Sequence, residues 1–402
     1  MDEAWDITQG SSSIRVAVID EGVDRAHPDL INNIDPLGFG IMASVATTGD
    51  IVSSSLSHGT SCAGIVAAQA NNSIGLAGVA PMCKIIPVSV VVNTSGNYGS
   101  SAQLAQCIDW AWDNGSADVL SNSWGGGLAS SLIHDAIIRA VTLGRAGKGA
   151  VVVFCTQNYD AGITSPSCFK ETIAVGAMSM CEQRKAPASC DGEYWWGANY
   201  GVGLDISAPG VKIATTANVG TEPLPDEDYN LTFNGTSSAT PMVSGVAALI
   251  LSLNSNFTQQ QVRQIIEQSA RKVPGFSYSN VEGQPYNTWN AEIGYGMLNA
   301  KNALLLAQNP VLCNVDVSRP FSLQACSGGS ISLQVTNANA GDSYQWRKDD
   351  AVVASGTSYA ATQSGNYDVV LTTAGGCKDT SYKLSVNISL PDGPLAAHAG
   401  AD

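Results

Sequence analysis

Between residues 14 and 270, short apolar runs alternate with amphipathic helical segments, and few folds accommodate that alternation. IRVAVID (14–20), CKIIPVSVVV (83–92), DVLSNSWG (118–125), AVVVFCT (150–156), ETIAVGAMS (171–179) and LDISAPG (204–210) read as strands. The first of these is β-branched and continuously apolar, the mark of a strand buried on both faces. Segments 60–70, 100–115, 130–147, 240–253 and 258–270 read as helices; the second stops at Asn-Gly and the last opens on a Thr cap. The implied fold class is α/β, a mostly parallel sheet with helices on both faces, whose ligand crevice lies outside the carboxyl ends of the strands.

Near residue 310 the helical period stops. SISLQVTN, SYQWRKDD, AVVASG, SGNYDVVLTT and YKLSVNIS read as short strands divided by Gly, Asn, Asp and Ser turns. They imply a small all-β sandwich. The expected division is 1–309 as the α/β domain, 310–391 as the sandwich and 392–402 as a linker or tail. Trp346 between Cys326 and Cys377, with Tyr367 in SGNYDVV, resembles the immunoglobulin-like modules appended to many secreted bacterial enzymes. Its role stays open between binding an insoluble substrate, binding the cell surface and acting as a spacer.

Composition removes several functional classes. Lys and Arg number 19 against 34 Asp and Glu, a net charge of −15, which argues against nucleic acid and anionic membrane surfaces as partners. Apolar stretches such as 241–251 are too short to cross a bilayer, so no membrane insertion is expected. The ten cysteines form no CxxC pairs, which disfavours zinc. Cys181 and Cys190 flank EQRKAPAS, as suits a closed surface loop, and Cys326 and Cys377 flank the strand-rich segment; both pairs are candidate disulfides. Cys62, Cys107 and Cys155 lie in apolar runs and read as buried thiols. The balance points to an oxidising, secreted setting. MDEAWDITQG has neither a basic region nor an apolar core, so no signal peptide is read there.

Of four histidines, His398 lies in the tail, His27 in a proline turn and His134 mid-helix. His58 stands in SHGTSCAG, just before an apolar helix. Asp20 ends the strand AVID, and Ser237 opens an apolar helix in NGTSSATP. Each has a bland reading as a turn or cap residue. Together they supply what a serine nucleophile needs: a base within reach and a carboxylate that fixes the base's tautomer and stabilises its charged form. A helix start also turns unpaired N–H groups toward developing negative charge.

AVIDEGVDRAHPDL, HGTSCAG and NGTSSATPMVSG resemble the Asp, His and Ser motifs of the subtilisin-like serine proteases, whose Asp…His…Ser order is a known family trait. SNSWG, GVAP, ISAPG and GYGMLNA also match in order, so the resemblance covers residues 3–307. It implies a secreted endopeptidase acting on protein or peptide substrates. Asp20 would orient, His58 would act as base and then acid, and Ser237 would attack the carbonyl. Asn158 would donate to the oxyanion. Ser123, Trp124 and Gly125 would pair with the substrate backbone as an edge strand, giving broad specificity. ANNSIGLAGVAP resembles the family's calcium loop. It implies Ca2+ held by the side chains of Asp29 and Asn72 and the carbonyls of Ala70, Ile74 and Leu76, against the plain alternative of an Asn/Gly turn. The chain departs from the family pattern at Glu21 and at Gln157, where a glycine is usual, and no inhibitory pro-segment is read. Two other readings remain: a peptide ligase or macrocyclase using the same acyl-enzyme, and a non-catalytic binding protein on a protease fold.

Overall fold

In the computed structural model all six apolar runs enter one sheet. The structure describes residues 1–42, 48–220, 228–281, 284, 288–310, 315, 317–318, 323–326, 328–336, 338–374, 378–381 and 383–389. The strands are β1 (Arg15–Asp20), β2 (Phe39–Gly40), β3 (Lys84–Ser89), β4 (Val119–Asn122), β5 (Val151–Cys155), β6 (Ile173–Met178) and β7 (Ile206–Pro209). Their order is β2-β3-β1-β4-β5-β6-β7, and every pairing is parallel. All carboxyl ends therefore lie along one edge. Asp20 closes β1 there, and the chain leaves β4 into Ser123 and β5 into Asn158.

Helix α1 (Asp2–Trp5) precedes the sheet. Helices α2 (His58–Ala67), α3 (Ser101–Trp112) and α4 (Ser131–Leu143) follow β2, β3 and β4. Ser100 and Gln103 form a capping box that starts α3. Ile108 of α3 and Ile137 of α4 join Ile19, Leu120 and Phe154 of the sheet in one buried cluster. Each such side chain contributes about 1.5–3 kcal/mol on burial.

Hairpin β8 (Ile213–Thr216) and β9 (Tyr229–Phe233) leads into α5 (Thr236–Leu253), followed by α6 (Gln259–Gln268) and α7 (Ala300–Gln308). Helix α5 starts four residues before the expected 240, because Gly235 and the turn before it already feed the helix. Its 18 residues are long and apolar enough to cross a membrane by length and composition, unlike the shorter run read from sequence; 83% of them are buried within this fold. It packs against α2, α6, α7 and strands β4 to β7 as a central core helix.

The chain divides into two compact units, Met1–Val281 with Asn287–Pro310, and Val311–Asp402 with Glu282–Tyr286. The second is β-rich, compatible with the sandwich reading. Strands β10 (Gln324–Cys326), β12 (Ser343–Lys348), β13 (Ala351–Ser355), β15 (Gly365–Thr372), β16 (Lys378–Thr380) and β17 (Leu384–Ser389) form one sheet. Strands β11 (Ile331–Gln334) and β14 (Ser358–Ala361) pair separately. Ile331, Leu333 and Ala361 of the pair share a core with Trp346, Tyr367 and Val369 of the sheet. The expected Cys326–Cys377 pairing lies outside the described residues. Cys181–Cys190 is a disulfide.

Candidate active site

The site lies at the sheet's carboxyl edge. The Asp20 carboxylate is fully buried, and its Oδ1 accepts from the backbone N–H of Glu21 and from His58 Nδ1, each at 2.8 Å. With its proton on Nδ1, the neutral His58 ring presents a lone pair at Nε2. Burial disfavours the charged ring. The charge of Asp20 and its hydrogen bond, together with the neighbouring Cys62 thiol, outweigh that, and the His58 pKa stands well above the ordinary 6.5.

Close packing holds this pair. A side chain at Gly59 would place its Cβ 2.1 Å from the Gly22 carbonyl oxygen, so only glycine lets α2 sit this near the end of β1. Thr60 Oγ1 accepts from the Asp24 N–H at 2.9 Å, and Ser61 Oγ donates to the Thr216 carbonyl at 2.8 Å. The Phe233 ring meets His58 edge-on at 5.3 Å.

Ser237 lies in the first turn of α5 and is 8% exposed. Its Oγ donates to the Ser123 carbonyl at 3.3 Å, and its own carbonyl accepts from Ser123 Oγ at 3.0 Å. Among the described residues no hydrogen bond joins Ser237 to His58. Asn158 reaches the same turn: its Oδ1 accepts from the Thr236 N–H at 2.9 Å and from Thr236 Oγ1 at 3.0 Å. A backbone N–H can only donate, so the amide oxygen must face Thr236, which leaves Nδ2 as the free donor face. Gly235 has φ +115°, which favours glycine, and a Cβ there would also crowd that Nδ2 at 3.1 Å.

The expected substrate strand differs in one respect. Strand β4 ends at Asn122, and Ser123, Trp124 and Gly125 continue past it outside the ladder. The next bridge is Gly127 with Ser165. Two glycines with positive φ, Gly125 and Gly126, loosen the backbone there. The Trp124 indole is buried edge-on against Phe154 at 5.1 Å, so its side chain belongs to the core.

One participant escaped the sequence reading, and another was noted there only as a departure from the family pattern. Cys62, read only as a buried thiol, has Sγ 3.9 Å from His58 Nδ1 and donates to the Ser237 carbonyl at 3.6 Å. Burial raises its pKa. Its spacing of four from His58 on a helix was the available signal. Gln157 has φ +82° and extends its amide to Cys155 Sγ at 3.0 Å, under the Gly125–Gly126 backbone. Its replacement of a usual glycine was the signal. Glu21 is half-buried, and burial, followed by the Asp20 charge, raises its carboxyl pKa. His27 and His134 serve the structure. His27 is buried, with Nε2 2.8 Å from the Asp228 carbonyl; His134 stacks on Phe169 and pairs with Glu171 at 3.0 Å.

The loop read as a cation site gathers around buried Asp29. Asn72 Nδ2 donates to its Oδ1 at 2.7 Å, and the Leu76 N–H donates to its Oδ2 at 3.0 Å. Ala70, Asn72, Ile74 and Leu76 line one pocket. The residue types, one carboxylate, one amide and backbone carbonyls, are those a hard cation takes. Here Asp29 lies behind the pocket lining with both oxygens accepting N–H donors, and the Asn72 oxygen accepts from the Ile74 N–H at 3.3 Å, so these groups would have to turn to hold calcium.

A parallel sheet with an Asp–His pair at one strand end and a serine at a facing helix start defines a class, and comparison names it. Residues 11–296 match the model of the Subtilase family, and the chain belongs to that family. It is 35% identical over 295 residues to the Thermophilic serine proteinase of Bacillus sp. (strain AK1), covering 72% of this chain and 64% of that protein. It is 38% identical over 265 residues to Subtilisin of Bacillus pumilus, covering 64% and 84%. It is 32% identical over 338 residues to the Calcium-dependent protease of Nostoc sp. (strain PCC 7120 / SAG 25.82 / UTEX 2576), covering 76% and 48%. The match thus spans less than two thirds of several relatives, subtilisin E of Bacillus subtilis at 61% among them. A solved structure of a protease from Pseudoalteromonas arctica superposes with a TM-score of 0.61 at 26% identity, over 76% of this chain and 93% of that one.

Proposed function

We propose that the chain is a secreted serine endopeptidase that cleaves protein or peptide substrates through an acyl-enzyme on Ser237. The observation that carries this reading is the 2.8 Å contact between His58 Nδ1 and buried Asp20, beside a Cys62 Sγ that reaches both His58 Nδ1 at 3.9 Å and the Ser237 carbonyl at 3.6 Å. In this mechanism Ser237 Oγ turns from the Ser123 carbonyl toward His58 Nε2, which takes its proton as Oγ attacks. Hydrogen bonds of this kind often tighten only when substrate binds. Asp20 stabilises the charged ring, and His58 then returns the proton to the leaving amine. The tetrahedral oxyanion is met by Asn158 Nδ2 and the N–H groups of the α5 start. The backbone of Ser123–Gly125 positions the substrate. Water repeats the sequence and frees the acid.

Residues 1–309 form the catalytic part and 310–391 an accessory β-sandwich in this reading. The disulfide Cys181–Cys190 supports an oxidising compartment. Calcium held by Asp29, Asn72 and the carbonyls of Ala70, Ile74 and Leu76 would stabilise the fold by binding only the native state. The name of the Nostoc relative supports that role.

The test is labelling with a fluorophosphonate, located by peptide mass spectrometry, with Ser237→Ala as control. A single adduct on Ser237, dependent on the folded protein, is expected together with casein hydrolysis. A folded protein that takes no label and cuts no peptide would remove the reading. Deleting 310–402 and comparing soluble with particulate substrates tests a targeting role for the sandwich; equal activity on both would end that role.

A further inference from the structure

We propose that Gln157 fills the primary specificity pocket and restricts cleavage to bonds that follow short side chains, such as those of Ala and Ser. This rests on the serine-peptidase reading above. A substrate carbonyl on Ser237, with its oxygen toward Asn158 and its backbone along Ser123–Gly125, has one direction left for the adjoining side chain. That direction is the gap between Gly125–Gly127 and Cys155–Asn158. A third wall comes from Ser165, whose carbonyl accepts from the Gly126 N–H at 3.0 Å. The three consecutive glycines place no side chain in this gap.

Gln157 occupies it instead. Its Nε2 is 2.9 Å from where a Cβ on Gly125 would stand, and its Oε1 is 3.4 Å from the corresponding point on Gly126. Nε2 also donates to Cys155 Sγ at 3.0 Å, which pins the amide against the pocket wall. The side chain is half-buried, so part of it faces solvent. The backbone is held at φ +82°, where glycine alone is free of strain. A conformation disfavoured for glutamine, one residue from the oxyanion donor, is consistent with selection for this side chain's position.

The chemistry of the pocket follows. A methyl group fits above the amide, and a hydroxyl can donate to Oε1. A phenyl or isobutyl group would displace the amide and leave its polar atoms without partners, a loss that substrate burial does not offset. Gln157 is thus a specificity residue, separate from the proton-transfer groups.

The experiment measures kcat/KM on peptides that differ only in the residue supplying the scissile carbonyl: Ala, Ser, Leu or Phe. The full chain is compared with Gln157→Gly and Gln157→Asn. Wild type should favour Ala and Ser over Phe by about tenfold or more, the scale at which pocket shape discriminates. Gln157→Gly also relieves the backbone, so it should fold, as thermal unfolding will check. It should shift the Phe/Ala ratio upward by about tenfold or more. Gln157→Asn tolerates positive φ and keeps a shorter amide, and should fall between them. A wild type that prefers Phe or Leu, or a folded Gln157→Gly with an unchanged ratio, would overturn the proposal while leaving the peptidase reading intact. A wild type that neither hydrolyses any peptide nor labels at Ser237 would overturn both.

Discussion

Asn158 holds two jobs on opposite sides of one amide, and substitution can separate them. Its oxygen accepts from the N–H and the hydroxyl of Thr236, itself fully buried at the start of α5. Its Nδ2 is the proposed oxyanion donor. Asn158→Ala removes both. Leaving a buried donor of Thr236 unmatched should cost about 1–3 kcal/mol of stability. Losing one oxyanion donor should lower kcat by about 100- to 1,000-fold, the range known for the equivalent donor of subtilisin, a relative of this chain. Asn158→Asp keeps the acceptor toward Thr236 but replaces the donor with a negative charge. It should unfold near wild type and yet lose at least as much kcat as the alanine variant. KM should move little in either, because the lost interaction belongs to the transition state. The assay is steady-state hydrolysis of a chromogenic peptide beside urea unfolding of the same preparations. An Asn158→Asp enzyme within about tenfold of wild-type kcat would refute the assignment.

The raised pKa of His58 places the acid limb of kcat/KM above the ordinary 6.5, since the ring must be neutral to accept the serine proton. The same raised value means the ring's contribution to stability is full below 6.5 and is lost as pH rises through the folded pKa; a limb at or below 6.5 contradicts the Asp20–His58 coupling. Lys185, within the Cys181–Cys190 loop, is fully buried, with Nζ 3.0 Å from Oδ1 of Asp191 just beyond it. Lys185→Ala should therefore cost about 3–5 kcal/mol in urea unfolding, because the buried Asp191 carboxylate keeps its bonds from Ser189 and Glu193 but loses its counter-charge. Gly235→Ala should lower both thermal stability and kcat, because its Cβ would press on Asn158 Nδ2 at 3.1 Å in a left-handed backbone; a normal variant argues against that packing. Calcium at about one hundred times its Kd should stabilise the wild type by about 2.7 kcal/mol, an effect removed by EDTA and absent in Asp29→Asn. Identical melting with and without chelator would exclude the site.

The sequence by itself determined the sheet and the identity of the chemical groups. Buried parallel strands need unbroken apolar runs, so β1, β3, β4, β5, β6 and β7 were visible as such, and Asp20, His58 and Ser237 stood out as polar residues at the ends of apolar segments. Strand order follows from the whole set of packing contacts, so neither it nor the two-residue strand β2 could be read locally. Tertiary structure alone decided four things about the site. It turned the Asn158 amide oxygen to Thr236, brought Cys62 Sγ to the Ser237 carbonyl, and sent the Trp124 side chain into the core. It also laid Gln157 across the Gly125–Gly126 backbone. Each of these is a meeting of groups far apart in the chain or a choice of side-chain direction. Residue type and spacing fix which groups are available. The direction each one takes is set by the neighbours that the completed fold brings within hydrogen-bond and van der Waals distance.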